Sequence, residues 1–258
     1  MTSTISGAGR TPLLSARNVT LQYKTKDHLV TATYRLNFDV LDGDRFVIVG
    51  PSGCGKSTLL KAIGGHLRPT EGELRISGHP ITRPGPDRMM VFQEFDQLLP
   101  WKTVKENVIF ALTTGGGYKR KEAEARALVF IDKVRLGKFA DSYPHTLSGG
   151  MKQRVAIARA MALGPKVLLM DEPFAALDAL TRQRMQDELL QLWQDTHFSF
   201  IFVTHSISEA VLLGNRILVL SPHPGQVKAE LTSRGRADPE HSARLQETIE
   251  QLLLAETA

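Results

Sequence analysis

The chain has 258 residues, enough for one or two domains that each bury an apolar core, which excludes a peptide or a stapled mini-protein. Hydrophobic residues make up 42% and charged residues 23%, ordinary globular usage that also excludes a mainly disordered, collagen-like or coiled-coil chain. The net charge of +5 invites a nucleic-acid or anionic-membrane reading, but the one dense basic patch, Lys119 to Lys121, runs into acidic residues and reads as a solvated face.

Residues 1–12 are small and polar and read as an N-terminal arm, without the charged and apolar regions of a secretory signal; Thr2 stands where myristoylation needs glycine. From Leu13 to Val40 apolar and polar residues alternate, as at Val19, Leu21 and Tyr23 and again at Leu36, Phe38 and Val40, which predicts antiparallel strands with one wet face. Phe46 to Val49 is wholly apolar and ends in Gly50, the pattern of a strand buried on both faces, and a glycine-rich turn then leads into a helical stretch from Lys56 to Leu67.

Between Met89 and Gly164 the pattern is helical: Val104 to Leu112, Lys119 to Val134 and Gly149 to Leu163, with Gly115 to Gly117 separating the first two. Buried-strand runs return at Val167 to Met170, Phe200 to Val203 and Ile217 to Leu220, separated by helical segments. That alternation predicts an α/β fold with a parallel core sheet, an antiparallel β-subdomain before it, and an inserted α-helical subdomain over about residues 95–163. The main domain then covers residues 13–238. Residues 239–258 form a C-terminal helix, Pro239 to Thr257, with Leu245, Ile249, Leu252 and Leu253 on its docking face. No apolar run approaches the roughly 20 residues of a membrane helix, and the lone Cys54 has no partner for an internal disulfide.

The chemistry begins at Gly50, Pro51, Ser52, Gly53, Cys54, Gly55, Lys56 and Ser57, which fit the G-x-x-x-x-G-K-[ST] phosphate loop, with Thr58 next in the helix. Glycines let backbone N–H groups curl inward around phosphate oxygens, and the following helix adds the positive end of its dipole. Lys56 would reach the β- and γ-phosphates, and the Ser57 hydroxyl would ligate Mg²⁺. Cys54, a small residue inside this loop, reads as neither metal ligand nor nucleophile. A second element, Val167-Leu-Leu-Met-Asp171-Glu172, is an apolar strand ending in two carboxylates. At the rim where open parallel sheets bind ligands, Asp171 could hold Mg²⁺ and Glu172 could serve as general base for a water.

Leu147-Ser-Gly-Gly-Met-Lys-Gln-Arg154 resembles the signature sequence of ATP-binding cassette (ABC) ATPases. Gln93 in Val-Phe-Gln93 is similar to that family's Q-loop glutamine, Ala176-Leu-Asp178 to its D-loop, and His205 in Val-Thr-His205 to its switch histidine, all in the family's order along the chain. The resemblance implies a P-loop NTPase of the ABC-ATPase fold that takes ATP and Mg²⁺. It makes Gln93 a Mg²⁺ ligand alongside Ser57 and Asp171, and His205 a contact to the γ-phosphate. Ser148, Gly149 and Gly150 open a helix as an anion site; in the family it grips ATP held by a second copy in a head-to-tail dimer. Asp178 would organise that interface or simply cap a helix, and Tyr23 would stack on adenine or simply face outward from a strand.

Phe92 to Val104 and Asp171 to Arg182 further resemble the ATPases of nitrate, sulfonate and taurine importers. The resemblance implies a subunit on the cytoplasmic face of the membrane that energises import, with permease subunits as partners and a solute-binding protein as an indirect one. Leu98, Leu99 and Trp101 are then either an exposed patch for a permease helix or core packing. A DNA- or ribosome-associated ABC ATPase would typically need a long coiled-coil insertion or tandem cassettes, and neither is present, so no nucleic-acid partner is expected. A cassette that only binds nucleotide is disfavoured by Lys56, Asp171, Glu172 and His205 all standing in place. Two departures from the family pattern, Ser206 for an acidic residue and Gly214-Asn215 for Ala-Asp, lie away from the nucleotide chemistry and bear on the solute assignment.

Overall fold

The computed structural model describes residues 11–24, 28–93 and 97–254. The chain opens with β1 (Leu14–Lys24), β2 (Leu29–Val40), β3 (Arg45–Val49) and α1 (Lys56–Ile63), followed by β4 (Glu71–Ile76), β5 (His79–Pro80) and β6 (Arg88–Val91). Three helices come next, α2 (Val104–Thr114), α3 (Arg120–Lys133) and α4 (Gly149–Ala162). Strand β7 (Val167–Asp171), α5 (Ala179–Thr196), β8 (Ser199–Thr204), α6 (Ile207–Leu213), β9 (Arg216–Leu220), β10 (Val227–Thr232) and α7 (Pro239–Leu254) complete it. The contacts divide the chain into two compact units, residues 1–84 with 199–258, and residues 85–198.

In the first unit β2, β1, β4 and β5 form an antiparallel sheet in that order, with Leu14 opposite Val40 and Val19 opposite Leu36. Leu14, Ala16, Val19 and Leu21 are buried while Arg17 and Asn18 face water, the one-sided pattern that the alternation predicts. The parallel strands β9, β3 and β8 lie side by side, and β10 adds antiparallel to β9. Every residue from Phe46 to Val49 is fully buried, and Phe38 stacks on Phe46 at 5.5 Å. Burying such side chains contributes roughly 1.5–3 kcal/mol each. Asn215 ties the start of β9 to β3: its Oδ1 accepts the Arg45 N–H at 2.8 Å and its Nδ2 donates to Asp44 Oδ1 at 3.1 Å. A carboxylate in its place could accept but not donate, and would face the Asp44 charge. Helix α7 lays Leu245 and Ile249 into the core and packs on α6 and β9.

In the second unit β6 and β7 pair in parallel, Arg88 opposite Val167 through Val91 opposite Met170. Helices α2, α3 and α4 pack on one another, and α4 also packs on β6. A capping box starts α2: Thr103 Oγ1 accepts the Glu106 N–H at 3.2 Å and Glu106 Oε2 accepts the Thr103 N–H at 3.0 Å. One turn on, Asn107 is fully buried and reaches back; its Nδ2 donates to the carbonyls of Leu99, Lys102 and Thr103 and its Oδ1 accepts the Leu99 N–H at 2.8 Å. Asn107→Ala removes the side-chain partner of the Leu99 N–H and the Lys102 carbonyl, whereas the Leu99 and Thr103 carbonyls keep the N–H groups of Lys102 and residue 107; each group left unpaired out of water costs about 1–3 kcal/mol. We expect a loss of at least ~2 kcal/mol in denaturant unfolding, and an unchanged midpoint would refute this role for Asn107.

Four expectations need correction. The helix from Lys56 stops at Ile63 rather than Leu67, because Gly64 and Gly65 follow; Gly65 has φ +82°, and a Cβ there would lie 2.4 Å from the Arg83 backbone. The stretch from Met89 to Gly164 is not purely helical, since it begins within strand β6 and holds 3₁₀ turns at Gly137–Phe139 and Pro144–Thr146. Strands β4 and β10 escaped sequence reading: β4 buries only Leu74 and Ile76, and β10 buries none of its residues, so neither carries a strong period of two. Helix α2 runs on to Thr114, its hydroxyl donating to the Phe110 carbonyl at 2.6 Å. Residues 1–10 of the N-terminal arm and residues 255–257 of the last helix lie outside the described residues.

Candidate functional site

In the first unit the chain leaves β3 at Gly50 and curls through Gly53 (φ +80°) and Gly55 (φ +98°) before α1 begins. Gly55 is the residue before the helix, and a Cβ on it would sit 2.5 Å from the Ala32 carbonyl oxygen, so the loop rests directly on β2. Gly225 closes the other side: its N–H donates to the Ala32 carbonyl at 3.0 Å, its carbonyl accepts the Tyr34 N–H at 2.9 Å, and a Cβ on it would lie 2.2 Å from the Cys54 carbonyl oxygen. The loop's shape is therefore set from outside by backbone contact.

Lys56, only 5% exposed, turns its ammonium onto the rim of this loop, donating to the Gly50 carbonyl at 2.8 Å and the Pro51 carbonyl at 2.9 Å. Cys54 is fully buried, and burial pushes its thiol pKa up against the field of Lys56, so it stays protonated at neutral pH. Ser52 and Gly53 are exposed, whereas Ser57 and Thr58 are half-buried in the first turn of α1. No acidic residue stands in that turn, which leaves its N–H groups and positive dipole end for an anion. Tyr23 is 45% exposed on β1, so its ring offers a surface face.

His205 is exposed directly after β8, and its neighbours on both sides are bound to each other. Glu209, buried in α6, lies 2.5 Å from the Thr204 hydroxyl; that hydroxyl accepts the Ser206 N–H at 3.0 Å, and Ser206 Oγ caps α6 through the Glu209 N–H at 3.3 Å. Sequence reading missed Thr204 and Glu209 as supports of His205. The signal available was a Ser followed three residues later by Glu, a helix-start pattern.

In the second unit Asp171 ends β7 and Glu172 follows at φ +43°, a left-handed conformation that costs a residue with a side chain about 1–3 kcal/mol. The Glu172 carbonyl accepts the Ala175 N–H at 3.1 Å, and Arg182 braces the turn through the carbonyls of Phe174 at 3.3 Å and Leu177 at 2.9 Å. Asp178 caps α5 by accepting the Thr181 N–H at 3.0 Å, a bond that holds its carboxyl below the usual carboxylate range. Ser148, exposed, caps α4 by accepting the Met151 N–H at 3.3 Å. A Cβ on Gly150 would meet Thr181 Cγ2 at 2.9 Å, so this glycine lets α4 and α5 approach. Gln93 is exposed just past β6. Leu98 is core, at 4% exposed, whereas Trp101 is 69% exposed; residues 94–96 lie outside the described residues.

The first unit thus carries Tyr23, Gly50 to Thr58 and His205, and the second carries Gln93, Ser148 to Gly150, Asp171, Glu172 and Asp178. The loop has the curvature, cation and helix start that suit a nucleotide's phosphates. Among the described residues no group of three or more His, Cys, Asp or Glu is placed to hold a metal ion. Ser57 in the first unit, and Gln93 and Asp171 in the second, each offer a hard oxygen donor of the kind that Mg²⁺ takes.

Residues 34–175 match the family model described as ABC transporter. The taurine import ATP-binding protein TauB of Rhizobium johnstonii is 50% identical over 200 residues, 78% of this chain and 76% of that protein. The nitrate import ATP-binding protein NrtD of Synechocystis sp. is 47% identical over 82% of this chain and 79% of its own length. Among solved structures, the dimeric post-hydrolysis state of the ATP-binding cassette MJ0796, bound to ADP and Pi, superposes with a TM-score of 0.73 at 35% identity, covering 86% of this chain and 99% of the other. The chain therefore belongs to the ABC transporter family, as one of its α/β ATP-binding cassettes.

Proposed function

We propose that this cassette hydrolyses Mg²⁺-ATP to energise the import of nitrate, a sulfonate, taurine or a related small solute. The observation that carries the reading is the phosphate loop, with two left-handed glycines, a buried lysine ammonium at its rim and a helix start free of acidic residues. Tyr23 stacks on the base, while Gly50 to Thr58 bind the phosphates and Lys56 orients the β- and γ-groups. Ser57, Gln93 and Asp171 would hold Mg²⁺, which would supply charge neutralisation on the phosphate oxygens. Glu172 takes a proton from the attacking water, and His205 holds the γ-phosphate side of the reaction in line.

Ser148, Gly149, Gly150 and Asp178 act on a second copy of the chain, closing a head-to-tail dimer. Support for that arrangement comes from the dimeric form of the MJ0796 cassette and from the exposed Ser148 cap. The permease is a partner in this reading, docked at the cytoplasmic membrane face near Trp101, which is 69% exposed. The purified protein is expected to release phosphate from ATP at a rate per molecule that rises with protein concentration, as a dimeric active form requires, and to stop when Mg²⁺ is chelated. Hydrolysis that is independent of Mg²⁺ or of protein concentration would overturn the reading.

A further inference from the structure

Gln153 is fully buried within α4, just before the buried run Val155, Ala156, Ile157 and Ala158. A primary amide at such a position is costly unless its donors and acceptor are paired. Its Nε2 donates to the Phe92 carbonyl at 3.2 Å, and its Oε1 accepts from Gln97 Nε2 at 3.4 Å. Gln97 in turn brackets the same residue, accepting the Phe92 N–H on Oε1 at 3.2 Å and donating to the Phe92 carbonyl at 2.9 Å. From further along α4, Arg159 donates to the Gln97 carbonyl at 2.6 Å, and its burial lowers its pKa. Both backbone polar groups of Phe92, the residue directly before Gln93, are therefore gripped by side-chain amides, and α4 anchors that grip at two points.

We infer that Gln153 is a positioning residue for Gln93, tethering the segment that carries this Mg²⁺-side amide to the helix that Ser148 caps. The inference rests on the reading of Gln93 as a Mg²⁺ ligand. Groups that orient a metal ligand typically change metal affinity when removed, while leaving the remaining site intact. A buried amide serving packing alone would instead change stability without touching the Mg²⁺ requirement.

The test is steady-state ATP hydrolysis by the full chain at saturating ATP over a range of free Mg²⁺, with binding of a fluorescent ATP analogue measured in chelator. Gln153→Met keeps the side-chain volume and removes the hydrogen bonds. The half-saturating Mg²⁺ concentration is expected to rise about ten-fold, with metal-free analogue binding unchanged. Gln93→Ala is expected to shift it in the same direction, and the double variant to shift it no further than the larger single change. Should Gln153→Met fold poorly, Gln97→Met removes the other amide's two hydrogen bonds to Phe92, and its bond to Gln153, from a half-buried position and is expected to shift the requirement in the same direction. If Gln93→Ala moves the Mg²⁺ requirement and neither Gln153→Met nor Gln97→Met does, the positioning role is wrong and the ligand reading stands. If Gln93→Ala leaves it unmoved, the ligand reading falls, and this inference with it.

Discussion

Lys56→Ala is expected to weaken nucleotide binding at least about a hundred-fold, ~3 kcal/mol, in equilibrium titration with a fluorescent ATP analogue. The side chain is the one cation the loop itself supplies, and its ammonium already lies within 3 Å of the Gly50 and Pro51 carbonyls at the rim. Charge-assisted hydrogen bonds from such a group contribute roughly 1.5–3 kcal/mol each, and two phosphate groups draw on it. The loop should keep its shape without Lys56, because Gly55 on Ala32 and Gly225 on Cys54 brace it by backbone contact. Thermal unfolding of the variant should therefore stay close to that of the parent protein. Retention of parental affinity would show that the phosphates lie elsewhere.

Glu172→Gln is expected to leave affinity for ATP within a few-fold of the parent and to lower the turnover rate by roughly 10²–10⁴. The amide keeps the carboxylate's size and can still orient water, but it takes up no proton. Its turn should be little disturbed, since the Glu172 carbonyl and Arg182 on Phe174 and Leu177 help to hold it. With hydrolysis stalled, ATP remains bound and the closed dimer accumulates, which size-exclusion chromatography in ATP and Mg²⁺ would detect. Hydrolysis at the parental rate would remove Glu172 from the role of general base. The left-handed backbone at Glu172 makes Glu172→Ala and Glu172→Gly a useful pair: both remove the carboxylate, but only glycine adopts φ +43° freely, so the difference between them isolates relief of strain.

Much of the fold was legible because its signals are local. Phe46 to Val49, Val167 to Met170 and Phe200 to Val203 read as strands buried on both faces, and each of these residues is at most 1% exposed. The capped helices α2, α4 and α5 begin where Thr103, Ser148 and Asp178 accept the N–H three residues ahead, a rule written in sequence spacing. The strands that were missed are those whose pairing, not whose composition, makes them strands. Strand β10 keeps every residue part-exposed, so the hydrogen bonds to β9 define it.

The candidate groups were legible in residue type and spacing: a glycine-spaced loop with Lys56 and Ser57, a strand-end carboxylate pair, and a Ser-Gly-Gly helix start are each a few residues close together in the chain. Tertiary structure alone decided what holds those groups still. Gly225 against Cys54, and Gln153 with Gln97 on Phe92, link residues through backbone groups that look the same at every position of a sequence. It also separated Leu98 from Trp101, one buried and one exposed, where a short apolar run could not. Burial depends on which elements pack over a residue, and that is settled only when the chain has folded.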